Sequence, residues 1–234
     1  MMRSTFCVAL CGCLLSACGQ PGAGATGGAT QPAASAAAGS FTTNLKPLPG
    51  HEADAPKLTH KTTVRMRTTA GELVIDVFPE AAPNAAKRFL ELVSSGFYDD
   101  TPISRVVPGF VAQFGVNWRE PHNAWKERTF DDDPTFYALE RGTLAFAKGG
   151  ANTNSTQVFI NYAQNNRLAD PRYNFTVFGE VVSGMDVVDK FVRVGDPSYG
   201  LDQDRLWRDG GAYLDSLAEK PTMIQHAEVA AGAN

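Results

Sequence analysis

The sequence predicts a mainly β domain, a sandwich or a closed barrel, behind an export signal and a tether. Three observations predict it. Short apolar runs rich in β-branched and aromatic residues recur between Gly, Pro and Asn, only two stretches carry helical spacing, and no internal repeat is visible.

Residues 64–67 (VRMR) alternate apolar and charged, Ala70-Gly71 supplies a two-residue turn, and residues 72–78 are again β-branched and aromatic, which makes a hairpin. Pro83 then opens a helix in which Ala86, Phe89, Leu90 and Val93 recur at helical spacing, and Gly96 stands where a C-terminal cap belongs. Residues 103–107, 110–114, 143–147, 158–162 and 176–182 are short apolar strands bounded by turn formers. A second helix is expected over 185–194, with Val187, Val188, Phe191 and Val192 on one face. Residues 195–221 are polar and Gly-rich with a helical turn near 212–217, and 223–229 reads as a closing strand.

Of the 234 residues, 43% are hydrophobic and 20% charged, too polar for a multispan membrane protein. Lys and Arg number 21 against 25 Asp and Glu, so no basic face is implied and nucleic acid is not an expected partner. The apolar run 6–15 after Arg3 has the form of a secretory signal and is shorter than the ~20 residues of a spanning helix. It ends in Leu15-Ser16-Ala17-Cys18-Gly19, which resembles a bacterial lipobox with Cys18 as the lipidated residue. Cys7, Cys11 and Cys13 lie in the segment removed, so Cys18 would be the only cysteine retained and no internal disulfide is expected. Residues 19–40 are all Gly, Ala, Ser, Thr, Pro or Gln, with nothing to offset the entropy of ordering them. The expected organisation is a signal over 1–17, a flexible tether over 18–60, irregular in its proline-bearing part from Phe41, and a domain over 61–230 with an extension from about 196.

Common catalytic templates are missing: no Gly-x-Ser-x-Gly elbow, no Gly-x-x-x-x-Gly-Lys loop and no nucleophilic cysteine after processing. His51, His60, His122 and His226 are too dispersed for metal-ligand spacing, and no metal or cofactor is expected. Asp131-Asp132-Asp133-Pro134 could recruit a calcium ion weakly, but it lacks the alternation of an EF-hand loop and reads as a solvated loop.

The distinctive stretches are 104–113 (SRVVPGFVAQ), 144–160 (LAFAKGGANTNSTQVFI) and 178–188 (FGEVVSGMDVV). In this order they resemble a cyclophilin, a peptidyl-prolyl cis-trans isomerase, over about 64–194, and with the signal they resemble an exported lipoprotein subgroup. The resemblance implies a closed eight-stranded antiparallel barrel capped by two helices and a cofactor-free isomerase. Carried over by motif, Arg105 would donate to the proline nitrogen, and Phe110, Val111, Phe159, Leu168 and Phe175 would line the proline pocket. Gln113 would hold the substrate backbone, Ala147 and Lys148 would offer main-chain contacts, and Gln157 would support Arg105 and Gln113.

Several positions depart from the family pattern: Ser104 where His is frequent, Val111 for Met, Phe114 for Gly, Lys148 for Asn, Phe175 for His, and Arg167 where many eukaryotic members carry Trp. With Arg167 at the rim, weak cyclosporin binding is expected. Expected partners are proline-containing folding polypeptides and, through lipid on Cys18, a membrane. The expected place is the periplasm-facing bacterial envelope, outer membrane ahead of inner, as a monomer. A proline-segment chaperone or adaptor with little turnover is the competing reading.

Overall fold

The computed structural model describes residues 41–231, so Cys18, the signal over 1–17 and the first part of the tether lie outside the described residues. Eight strands form: β1 (Thr62–Thr68), β2 (Gly71–Val77), β3 (Thr101–Val107), β4 (Val111–Phe114), β5 (Thr143–Phe146), β6 (Val158–Asn161), β7 (Val177–Ser183) and β8 (Met223–Val229). Antiparallel pairing in the order β1-β2-β7-β5-β6-β4-β3-β8 closes them into a barrel, which decides between sandwich and barrel.

The two-residue period places the core. On β1, Val64 and Met66 are buried while Arg65 and Arg67 are exposed, and Leu73, Ile75 and Val77 of β2 join them inside. Helix α1 (Pro83–Ser94) packs on β7 and β8 and drives Phe89 into the core, its ring 5.1 Å from Phe178 and 5.6 Å from Tyr98. Each such buried ring contributes roughly 1.5–3 kcal/mol. The start of α1 has no cap of its own. Asp133, far along the chain, accepts from the backbone N–H groups of Asn84 (3.1 Å) and Ala85 (2.9 Å). The Asp131-Asp132-Asp133 stretch is a loop, as expected, but only Asp131 is exposed: Asp133 is buried, and Asp132 is ion-paired to Lys148 at 2.6 Å.

Three further differences from the sequence reading have local causes. Helix α2 (Met185–Val188), packed on β2, is one turn rather than the expected 185–194. The chain leaves the helix because the Val192 N–H donates to Thr222 Oγ1, while Phe191 stays buried on the barrel without needing helical backbone. In the extension from 196, the closing strand expected over 223–229 forms as β8 between β1 and β3, but the single turn expected near 212–217 is the end of a longer helix, α3 (Gln203–Ser216). Leu206, Tyr213 and Leu214 of α3 form a cluster with Val116 and Leu201, and the helix breaks at Gly210 (φ 53°), where a Cβ would stand 2.2 Å from the Trp118 ring. Finally, residues 41–60 are irregular in backbone but packed. Phe41 stacks on Phe78 at 5.8 Å, Leu45 is buried, Asn44 N–H donates to the Glu180 carboxylate, and Leu48 N–H donates to the Phe136 carbonyl. Four anchors at irregular spacing hold a segment that has no periodic pattern.

Candidate active site

The β3–β4 ladder sets the site. Arg105 pairs with Gln113 and Val107 with Val111, so Arg105, Val111 and Gln113 share one face, while Ala112 and Phe114 point into the barrel core. Phe114, fully buried, therefore fills the interior and does not alter the depth of any surface pocket. Ser104, at the bulge between Ile103 and Arg105, is buried, its hydroxyl donating to the Gln113 carbonyl at 3.2 Å.

On the outward face lies a cleft of about 540 Å³ lined by Arg105, Phe110, Val111, Gln113, Ala147, Lys148, Phe159, Leu168 and Phe175. Gln157 does not line the cleft; it stands behind Gln113 and accepts from Gln113 Nε2 at 2.8 Å. Val111 and Phe159 are buried and form the floor, and Phe175 meets Phe159 edge-on at 5.6 Å. The residues between Leu168 and Phe175 close on themselves, with the Tyr173 and Asn174 N–H groups both donating to the Asp170 carbonyl, and the Phe175 N–H returns to the Leu168 carbonyl at 3.0 Å. Residues 169–174 thus loop out and return the chain to the wall at Phe175.

The Arg105 guanidinium donates through Nη1 to Gln113 Oε1 at 3.4 Å and through Nε to the Ser198 carbonyl at 2.7 Å, and lies 5.6 Å from the Phe110 ring centre. Burial pulls its pKa below the usual guanidinium value and the Tyr199 phenol opposes that; a guanidinium still holds its charge at neutral pH. Lys148, by contrast, is not a free rim charge. Its ammonium is bound to Asp132 and to the Asn174 carbonyl at 3.0 Å, and its side chain is 3% exposed. The Ala147 N–H is already given to the Gln157 carbonyl, which leaves the Ala147 carbonyl for a ligand. Arg167 lies outside the cleft lining, but its guanidinium is 5.1 Å from the Phe110 ring centre, so Phe110 has two guanidinium groups near it.

The cleft also has a wall that sequence reasoning did not assign: Tyr199, Leu201, Asp202, Gln203 and Asp204. The available signal was the turn sequence Gly195-Asp196-Pro197-Ser198-Tyr199-Gly200 just before an Asp N-cap, which marks a tight reversal but not its destination.

A closed antiparallel barrel carries a cleft with an apolar floor, one oriented guanidinium and a glutamine pair beside it. The family model for cyclophilin type peptidyl-prolyl cis-trans isomerases matches residues 63–206, and the chain belongs to that family, whose members are isomerases. A peptidyl-prolyl cis-trans isomerase of Acinetobacter baylyi is 37% identical over 149 residues, covering 61% of this chain and 78% of that one. Peptidyl-prolyl cis-trans isomerase B of Escherichia coli is also 37% identical, over 150 residues, covering 60% of this chain and 90% of its own. Among solved structures, a cyclophilin type isomerase of Cryptosporidium parvum superposes with a TM-score of 0.56 at 22% identity, covering 74% of this chain and 99% of its own, which supports the fold. The same protein has been solved in the presence of the dipeptide Ala-Pro, with a TM-score of 0.54.

Proposed function

We propose that this chain accelerates cis-trans exchange at X-Pro bonds of folding polypeptides in a bacterial envelope, with Arg105 stabilising the twisted transition state. Rotation about a peptide bond faces a barrier of ~18–20 kcal/mol, so X-Pro exchange takes tens to hundreds of seconds unaided. Twisting removes amide resonance, leaving a basic lone pair on the proline nitrogen and a less polarised carbonyl. An apolar floor such as Val111 and Phe159 favours the less polarised state, and a donor held against the nitrogen stabilises the lone pair. Arg suits this because its donors lie fixed in a plane. No covalent step and no cofactor enters this scheme.

The observation that carries the reading is the Arg105 guanidinium on the wall of the apolar cleft with both Nε and Nη1 engaged, so that its plane is set while other Nη donors remain. A cis-to-trans exchange assay on a short X-Pro peptide, with and without Arg105→Ala, tests it: turnover that depends on Arg105 supports the isomerase, and binding without turnover would favour a chaperone or adaptor.

The envelope assignment rests on Leu15-Ser16-Ala17-Cys18-Gly19 after an apolar run. We read Cys18 as the lipidated residue and the residues up to 40 as the tether. Cys18→Ser should release the protein from the membrane fraction, and retention of that variant with its signal cleaved would overturn the lipoprotein reading.

A further inference from the structure

We propose that residues 196–203 form a strap that positions the Arg105 guanidinium for the isomerisation, with the Ser198 carbonyl and the Gln203 side chain as the positioning groups. This rests on the reading of Arg105 as the transition-state donor.

The strap is built to hold one carbonyl in place. Asp196 and Gly200 exchange both backbone hydrogen bonds (2.7 and 2.8 Å), and the Asp196 carboxylate accepts from the N–H groups of Ser198 (2.7 Å) and Tyr199 (2.9 Å). The turn is therefore locked from inside. It is locked to the barrel as well, because the Leu201 N–H donates to the Ser104 carbonyl at 2.8 Å and the Leu201 side chain is buried against Val116 and α3. Gly200 (φ +76°) is needed for this approach: a Cβ there would stand 2.3 Å from the Ser104 carbonyl oxygen and 2.6 Å from Arg105 Cα. With the turn seated, the Ser198 carbonyl receives Arg105 Nε at 2.7 Å, on the residue next to the one that anchors Leu201.

The second contact comes from the first turn of α3. Gln203 Oε1 accepts from Gln157 Nε2 at 3.0 Å, Gln157 Oε1 accepts from Gln113 Nε2 at 2.8 Å, and Gln113 Oε1 accepts from Arg105 Nη1. Each amide uses its oxygen toward one neighbour and its nitrogen toward the next, so the acceptor at Gln203 fixes the orientation of both glutamines and turns an oxygen toward Arg105. Arg105 is thus held at Nε by the turn and at Nη1 by a chain that ends on the following helix. A long guanidinium side chain at the edge of a cleft otherwise samples many rotamers, and positioning is what a non-covalent rate enhancement depends on.

The test uses the full chain and two readouts, kcat and KM on an X-Pro peptide and the solvent exchange of the Arg105 Nε proton followed by nitrogen-15 NMR. Gln203→Leu should lower kcat roughly 3- to 10-fold, the worth of one neutral hydrogen bond, a larger change than any in KM, although Gln203 also lines the cleft. Gln203→Glu, which retains the acceptor, should restore most of that. Gly200→Ala should unseat the turn, speed Nε proton exchange and lower kcat similarly; if it fails to fold, Gln203→Leu, a half-exposed position, decides. In an Arg105→Ala background Gln203→Leu should have no further effect on kcat. Wild-type kcat in Gln203→Leu, or an equal loss with Arg105 absent, would reduce the strap to packing. Full activity in Arg105→Ala would instead overturn the donor reading, and the strap's role with it.

Discussion

Lys148→Met tests how the cleft wall is held together. The Lys148 and Asp132 side chains are 3% and 12% exposed and meet at 2.6 Å, so removing the ammonium leaves a nearly buried carboxylate without its counter-charge. Breaking such a pair from one side costs about 3–5 kcal/mol. Asp132 keeps the Asn152 N–H (3.1 Å) and Asn154 Nδ2 (2.6 Å), which lowers the expected loss to about 2–3 kcal/mol, or roughly 5–10 °C in Tm for a domain of this size. Adding Asp132→Asn should recover most of it, since the orphaned charge is then gone. The pH dependence has a definite sign. Burial raises the Asp132 pKa, but the Lys148 bond together with Asn152 and Asn154 outweighs burial and holds it below the usual carboxylate value. Its stabilisation is therefore fully present above the unfolded value of about 3.9 and is lost as pH falls through the lower folded pKa. Urea unfolding should show a wild-type advantage over Lys148→Met that is full at pH 7 and shrinks as the pH is taken below 4. A loss under about 0.5 kcal/mol at pH 7, or a deficit unchanged in acid, would refute the reasoning.

Asp133→Ala should cost about 1–2 kcal/mol in urea unfolding by orphaning the Asn84 and Ala85 N–H groups, whereas Asp133→Asn should cost less. Burial raises the Asp133 pKa against those two bonds, so its charged form is disfavoured and an uncharged acceptor suits the site. Leu45→Ala should cost about 2–4 kcal/mol because Leu45 is buried on the barrel; no change would mean that residues 41–60 are not held there in solution. Cyclosporin should inhibit weakly, since covering the Arg167 guanidinium over Phe110 desolvates a charge without returning a partner, and Arg167→Trp should improve inhibition by about 30-fold or more in a titration.

The barrel was readable because its strands obey a local rule. Val64, Arg65, Met66 and Arg67 alternate inside and outside, and even β8, beyond the span of the family resemblance, carries enough apolar residues to be read as a closing strand. One side of the cleft was readable because Arg105, Val111, Gln113 and Phe159 come from short motifs on β3, β4 and β6, with β4 paired to both of the others. What sequence reading missed is tertiary. Phe41 and Leu45 anchor a proline-bearing segment through single contacts with no period, Asp133 caps a helix some fifty residues upstream of it, and the turn around Ser198 reaches Arg105 from more than ninety residues away. The four-residue α2 was overread because Val187, Val188 and Phe191 have helical spacing, yet burial of Phe191 is met by a turn.

The most direct test of the central claim is the exchange rate of an X-Pro peptide catalysed by Arg105→Ala, measured with the affinity of the same variant for that peptide. The cleft floor of Val111 and Phe159 is untouched by the change, so the fold and peptide affinity should remain near wild type. The rate should fall roughly 30- to 1,000-fold, the equivalent of ~2–4 kcal/mol of transition-state stabilisation. An Arg105→Ala protein that binds and turns over the peptide at the wild-type rate would contradict the account.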